Sequence, residues 1–262
     1  MDARIIPPIL PLRPYIRYFW VLENKRIDYT EKLKLIPEGL PGLVFQENPS
    51  AFENSDKQSL PQTFIFGQAT HYAELNASGT FRNIGVCFQP TALSSVFGIA
   101  ASELTEKHIA VNDLIKNTIN DQLLNTPVLS QKIAVLEQCF LQLTDGHHPE
   151  NANIQHALLQ LEQGKTLRQL QEALQISERS LERLFKHHVG ISPKLYARIC
   201  RFQATLKMLR NTRNTTLTEI AYLENYFDQS HFIRDFKFFA GTTPKAFLQN
   251  LHQQFPNFPD WK

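Results

Sequence analysis

Arg179, Arg183 and Lys186 are spaced i, i+4, i+7, which sets three cationic side chains on one helical face with Glu182 beside them. Ser230, Arg234 and Lys237 repeat that spacing 51 positions later, with Gln229 and His231 as neighbours. A guanidinium pairs bidentately with the major-groove edge of guanine, whereas an ammonium or a helix N-terminal amide suits a phosphate oxygen. A single charged helix face is most simply a solvated surface. Here, however, the whole segment is duplicated: SERSLERLFKHHVGISPKLY at 177–196 returns as DQSHFIRDFKFFAGTTPKAF at 228–247. Arg183 falls on Arg234, Phe185 on Phe236, Lys186 on Lys237, Gly190 on Gly241, Pro193 on Pro244 and Lys194 on Lys245. A short basic helix that recurs at a fixed separation, its stripe retained, predicts the reading of two successive stretches of one DNA groove.

The copies extend upstream, where TLRQL at Thr166 to Leu170 matches TLTEI at Thr216 to Ile220 at an offset of 50, one residue having entered the turn between the helices. Thr166 followed by Gln169, and Thr216 followed by Glu219, are capping boxes, so each copy reads as helix, turn and second helix. Leu167, Leu170, Leu174, Ile176, Leu181, Leu184 and Phe185 give the first copy a buried face, and Leu217, Ile220, Ala221, Phe232 and Phe236 do so for the second. Between the copies, Ser192 and Pro193 start a helix in which Leu195, Ile199, Phe202, Leu206 and Leu209 recur at spacings of four and three. Ser192 to Arg210 would span about 28 Å at ~1.5 Å per residue, close to the ~34 Å of one duplex turn. The polar side of this connector, Lys194, Arg198, Arg201, Lys207 and Arg210, lines phosphates on one reading and provides solubility on the other.

Residues from about 151 to 252 resemble the DNA-binding domain of the AraC/XylS family of bacterial transcriptional regulators. The resemblance rests on IAYLENYFDQSHFIRDFKFFAGTTPKAF, which is similar to the family's pattern of Ile-Ala, a Gly-aromatic turn, Asp-Gln-Ser-His/Tyr-Phe, Arg, Phe-Lys, Gly and Ser/Thr-Pro. Asn225 stands where the family usually has Gly, and Asn is the non-glycine residue that best tolerates a left-handed backbone. Acidic Glu182 within the first face is a second departure and leaves the base preference there open. By position, the resemblance makes Arg179, Glu182, Arg183, Ser230, His231 and Arg234 the base readers, with Lys186, Arg198, Arg201, Lys237 and Lys245 on phosphates. It implies a transcriptional regulator bound to promoter or operator double-stranded DNA, with RNA polymerase and a second copy of the chain (a homodimer) as further partners. The direction of regulation stays open.

Charge divides the chain. Residues 1–150 hold 12 Lys and Arg against 16 Asp and Glu, a net of −4, while 151–262 hold 15 against 9, a net of +6. A basic C-terminal half is the electrostatic footprint of phosphate contact. The first half shows short apolar runs at Tyr15 to Leu22, Lys34 to Ile36, Leu43 to Gln46, Phe64 to Gly67 and Ile84 to Phe88, broken by Pro and Gly, which predict strands. Val128 to Leu143 and Ile154 to Leu161 have helical spacing, and the polar break Thr144 to Asn151 is the expected linker. The expected fold is therefore α+β: a mixed β-sheet or sandwich domain with helices at 1–145, then an all-α domain of two helix-turn-helix units at 151–254 joined by a long helix. PLRPYIRYFWVLE, LIPEGLPGLVF, FGQAT and IGVCFQPTALSSVFGIAASELTEKHI resemble the uncharacterised sensor-type domain that precedes this DNA-binding unit in one branch of the family. That resemblance implies a small-molecule effector, dimerisation or both. Tyr15, Tyr18, Phe19, Trp20, Phe45, Phe64, Phe66 and Phe88 line a pocket on that view and form plain core on the other.

No catalytic or metal-binding constellation emerges, and no cofactor is expected. Cys87, Cys139 and Cys200 match no CxxC site and fit free thiols in a reducing cytosol, and the His147-His148 and His187-His188 pairs lack partners at zinc-finger spacing. A repair methyltransferase with the same kind of helix-turn-helix would need a reactive Cys in a nucleophile setting. No run of 18 apolar residues occurs, so the expectation is a cytoplasmic, nucleoid-associated protein with no membrane segment and no enzymatic activity. The rival reading is a small-molecule-binding or enzymatic N-terminal domain with a helical module for protein contacts.

Overall fold

The computed structural model describes residues 1–54, 59–115, 118–146, 152–211 and 215–251. Most of the expected linker, and residues 252–262, lie outside these residues. Among the described residues the N-terminal part holds nine strands: β1 (Asp2–Ile6), β2 (Ile16–Asn24), β3 (Thr30–Leu35), β4 (Gly42–Gln46), β5 (Phe52–Asn54), β6 (Thr63–Phe66), β7 (Ala73–Ser78), β8 (Phe81–Phe88) and β9 (His108–Ala110). They form a six-stranded sheet in the order β1-β2-β8-β4-β6-β9 and a three-stranded sheet, β3-β7-β5, with every pairing antiparallel. Short helices α1 (Ala92–Phe97), α2 (Val111–Leu114) and α3 (Ile119–Leu124) and the longer α4 (Leu129–Thr144) complete this part.

Alternation along β2, β4 and β8 directs Phe19, Val21, Leu43, Phe45, Ile84, Val86 and Phe88 into one core with Ile133, Leu136 and Phe140 of α4. The expected aromatic set is thereby accounted for largely as packing: Phe19, Phe45 and Phe88 are fully buried, and Trp20 covers its cross-strand partner Gly85, where a Cβ would meet the indole. A smaller cluster of Leu22, Tyr29, Leu33, Phe52, Ala77 and Phe81 joins the two sheets.

Among the described residues the regular structure of the C-terminal part is all helix: α5 (Ala152–Glu162), α6 (Leu167–Leu174), α7 (Glu178–His188), α8 (Pro193–Asn211), α9 (Leu217–Leu223), α10 (Gln229–Ala240) and α11 (Pro244–Leu251). Its separate core gathers Leu170, Leu181 and Phe185 from the first copy, Ile199, Phe202, Leu206 and Leu209 from the connector α8, and Ile220, Ala221, Phe232 and Phe236 from the second copy. Ile154, Ala157, Leu158 and Leu161 of α5 close it. The connector therefore serves both units as a common wall.

The strands at β1, β5, β7 and β9 have no counterpart among the runs read from sequence. β1 is an edge strand with little burial, and β5 and β9 are three residues each. β7, AELNAS, is composed of residues that do not favour strands, and its pairing with β3 and β5 overrides that preference.

Candidate nucleic-acid interface

Both units start their helices as the sequence predicts. Thr166 accepts from the Gln169 amide while Gln169 Oε1 accepts from the Thr166 amide, and Thr216 and Glu219 do the same, completing two capping boxes. The turn that follows needs a left-handed residue in each copy. Asn225 takes it at φ 56°, as expected, and Gln175 takes it in the first unit at φ 53°. Each second helix is then capped afresh, Ser177 accepting from the Ser180 amide and Asp228 from the His231 amide at 2.7 Å.

This framing leaves the two polar stripes outward. Arg179, Arg183 and Lys186 are exposed on α7, and Ser230, Arg234 and Lys237 on α10, with Lys245 exposed on α11. Glu182 is half-buried on the flank of the first stripe. His231 is turned partly inward, 3.9 Å from Asp235 and edge-on to Tyr226. Arg198 does not reach toward the stripes: it pairs with buried Asp235 at 2.8 Å and lies over the rings of Phe238 and Phe239. Arg201 lies over Tyr226 at 5.0 Å. Of the cations expected on phosphates, Lys186, Lys237 and Lys245 are the solvent-facing ones, and the two connector arginines have intramolecular neighbours.

The N-terminal domain grips the C-terminal ends of both α7 and α10. Thr105 donates to the carbonyl of Gly190, just beyond α7, at 2.7 Å, and Ser94 Oγ lies 3.2 Å from His188 Nδ1. Lys34 donates to the carbonyl of Gly241, the left-handed cap of α10, at 3.2 Å, and Tyr72 covers that glycine so closely that a Cβ would lie 2.6 Å from its ring. Between these points Gln203 of α8 donates to the Pro37 carbonyl at 2.6 Å, and Arg17 pairs with Glu162 at 3.1 Å. Glu38 lies in the same seam, accepting from the Tyr18 hydroxyl at 2.6 Å, and burial pushes its carboxyl above the ordinary range. The helix N-termini, where base contacts are made in helix-turn-helix proteins, point away from this grip.

Other chemistry is sparse. Burial pushes the Cys87 thiol up and that of Cys200 up to about 12, which disfavours the thiolate a nucleophile needs. Among the described residues no cluster of three His, Cys, Asp or Glu side chains could hold a metal ion, and no helix is long and apolar enough to cross a membrane.

Residues 4–110 match a domain of unknown function, DUF6597, and residues 170–250 match a helix-turn-helix domain. A relative in Escherichia coli (strain K12), the uncharacterized HTH-type transcriptional regulator YidL, is 31% identical over 159 residues, 58% of this chain and 50% of that protein. The chain thus spans half the length of that relative. Among solved structures, ToxT from Vibrio cholerae is similar at a TM-score of 0.48 and 10% identity, over 88% of this chain and 97% of that one. CdpR from Pseudomonas aeruginosa is similar at a TM-score of 0.30 and 13% identity, over 66% and 47%.

Proposed function

We propose that this chain, whose C-terminal domain is a helix-turn-helix domain of the AraC type, is a sequence-specific transcriptional regulator that lays α7 and α10 in successive major-groove segments of promoter DNA. The observation that carries the reading is the duplicated exposed stripe, Arg179, Arg183 and Lys186 on one helix and Ser230, Arg234 and Lys237 on the other, on two units that share a single connector. Arg183 and Arg234, each one helical turn further in, are the base readers we favour, with Arg179, Glu182, Ser230 and His231 around them. Lys186, Lys237 and Lys245 supply phosphate contacts and the salt-dependent part of affinity. Arg198 and Arg201 act instead through the fold, holding α10 and its preceding turn to the connector.

The N-terminal domain is the regulatory part of this proposal. Because it touches the C-terminal end of both reading helices, an effector or a second copy bound there alters the relative setting of the two readers. The site of action that goes with this is the cytoplasm, with no enzymatic step. In vitro selection of duplexes from a random pool by the full chain is the direct test. The expected product is an asymmetric site of two unlike half-sites about one duplex turn apart. A pool that yields no consensus, or binding that does not weaken as salt rises, returns the helical domain to a protein-contact role.

A further inference from the structure

The second unit carries a residue for which the first has no counterpart. Up to the left-handed position of the turn the copies run 50 apart, Gln175 matching Asn225, and from the cap onward they run 51 apart, Ser177 matching Asp228. Between those two points the first unit has Ile176 alone, and the second has Tyr226 and Phe227. Ile176 is half-buried against the core that holds Leu181, the usual partner of an apolar residue placed just ahead of a helix cap. In the second unit Tyr226 takes over that packing, buried with its ring 5.3 Å from Phe232. Phe227 is left 92% exposed.

An isolated exposed apolar residue is ordinary, so the place of Phe227 matters more than its exposure. It directly precedes the cap of α10, and Asp228, Gln229, Ser230, Arg234 and Lys237 continue the exposed surface from it along the helix. The preceding helix joins that surface: the Thr218 hydroxyl donates to Gln229 Oε1 at 3.3 Å, and Tyr222, one turn further along α9, is 82% exposed. A helix whose N-terminal residues meet base edges brings the residue ahead of its cap to the groove floor or wall. The feature of the major groove that suits an uncharged ring is the C5-methyl of thymine.

We propose that Phe227 is a specificity residue of the second unit that packs on the methyl group of a thymine beside the bases met by Ser230 and Arg234. The inference rests on α10 being a DNA-reading helix, and it adds an apolar contact to a surface otherwise read as polar. The experiment is fluorescence anisotropy of the full chain on its selected site, with deoxyuridine replacing each thymine of the second half-site in turn, for the parent and for Phe227→Ala. One position is expected at which loss of the methyl weakens the parent about fourfold, the value of one buried methylene-sized group, and leaves Phe227→Ala unaffected. A variant that still discriminates thymine from uracil as the parent does, or a parent that discriminates nowhere in that half-site, overturns the proposal. So does a fall of several degrees in the Tm of Phe227→Ala, which would assign the ring to packing. Failure of the wider reading shows differently, as the lack of any selected site or as an Arg234→Ala variant that binds it undiminished.

Discussion

The two helix-turn-helix units share their capping boxes, a left-handed residue in the turn and most of their apolar positions, yet they are held by different physics. At the position of Leu184, which packs half-buried against the common core, the second unit has Asp235, buried and paired with Arg198 of α8 at 2.8 Å. The first attachment is a hydrophobic contact that tolerates small shifts. The second is a directional ion pair, seated against Phe238 and Phe239, that fixes α10 by both charge and geometry. Duplication preserved what each unit needs in order to fold, while other positions diverged into separate tethers and separate exposed surfaces.

Removing the tether gives the largest expected effect. Arg198→Ala leaves buried Asp235 without its partner and should cost about 3 kcal/mol in urea unfolding, whereas Asp235→Ala leaves an Arg198 that still reaches solvent and should cost less. Leu184→Ala should cost about 2 kcal/mol. Replacing both members of the ion pair by apolar residues should recover most of the loss, and a cost for Arg198→Ala below that of Leu184→Ala would show the two attachments to be alike after all.

Next come the readers. Arg183→Ala and Arg234→Ala should each lose about 1 to 3 kcal/mol of binding to the selected site and relax preference within their own half-site, whereas Lys186→Ala should weaken all duplexes alike and lower the salt slope. Equal losses on selected and random DNA for both arginine variants would reduce the two readers to general anion contacts.

The glycines gripped by the N-terminal domain sharpen the comparison from the other end. Gly190 and Gly241 sit at φ 95° and 63°, and a Cβ on Gly190 would lie 2.8 Å from the Ala101 carbonyl oxygen. Alanine at either should cost about 1 to 2 kcal/mol of backbone strain and loosen the contact between domains. Limited proteolysis between residues 146 and 152 should accelerate in both variants, and in only one of them if a single unit is held.

The smallest difference lies in the caps. Thr166→Ala and Thr216→Ala should each cost about 1 kcal/mol. The two boxes differ in acid, because Gln169 does not titrate, whereas hydrogen bonds from Thr216 hold the Glu219 carboxyl below its ordinary value of 4.5. A depressed carboxylate stabilises the fold above the unfolded value, and its contribution is lost as pH falls through the folded one. Glu219→Gln should therefore flatten the unfolding midpoint below about pH 4.5 and bring the second cap into line with the first. An unchanged profile would show that Glu219 does not couple to folding.

The sequence by itself determined the helical domain, because everything that specifies it is local. Caps, a 3.6-residue apolar period, a turn residue tolerant of positive φ, and the proline that starts α8 each act within a few residues, and the repeat states them twice. The strands were legible only where an apolar run marks a buried segment, as in β2, β4 and β8. β1 owes its form to pairing with β2, and β7 to pairing with β3 and β5, and no signal within either segment carries that information. The exposed stripes on α7 and α10 were readable for the same reason as the helices. What only the tertiary structure decided are relations between distant side chains: that Arg198 meets Asp235 instead of facing outward with the other basic residues, that the N-terminal domain closes on Gly190 and Gly241, and that Tyr226 takes the packing position and leaves Phe227 in the open. Charge complementarity, shape and burial across a core are set by three-dimensional proximity, and spacing along a chain does not encode them.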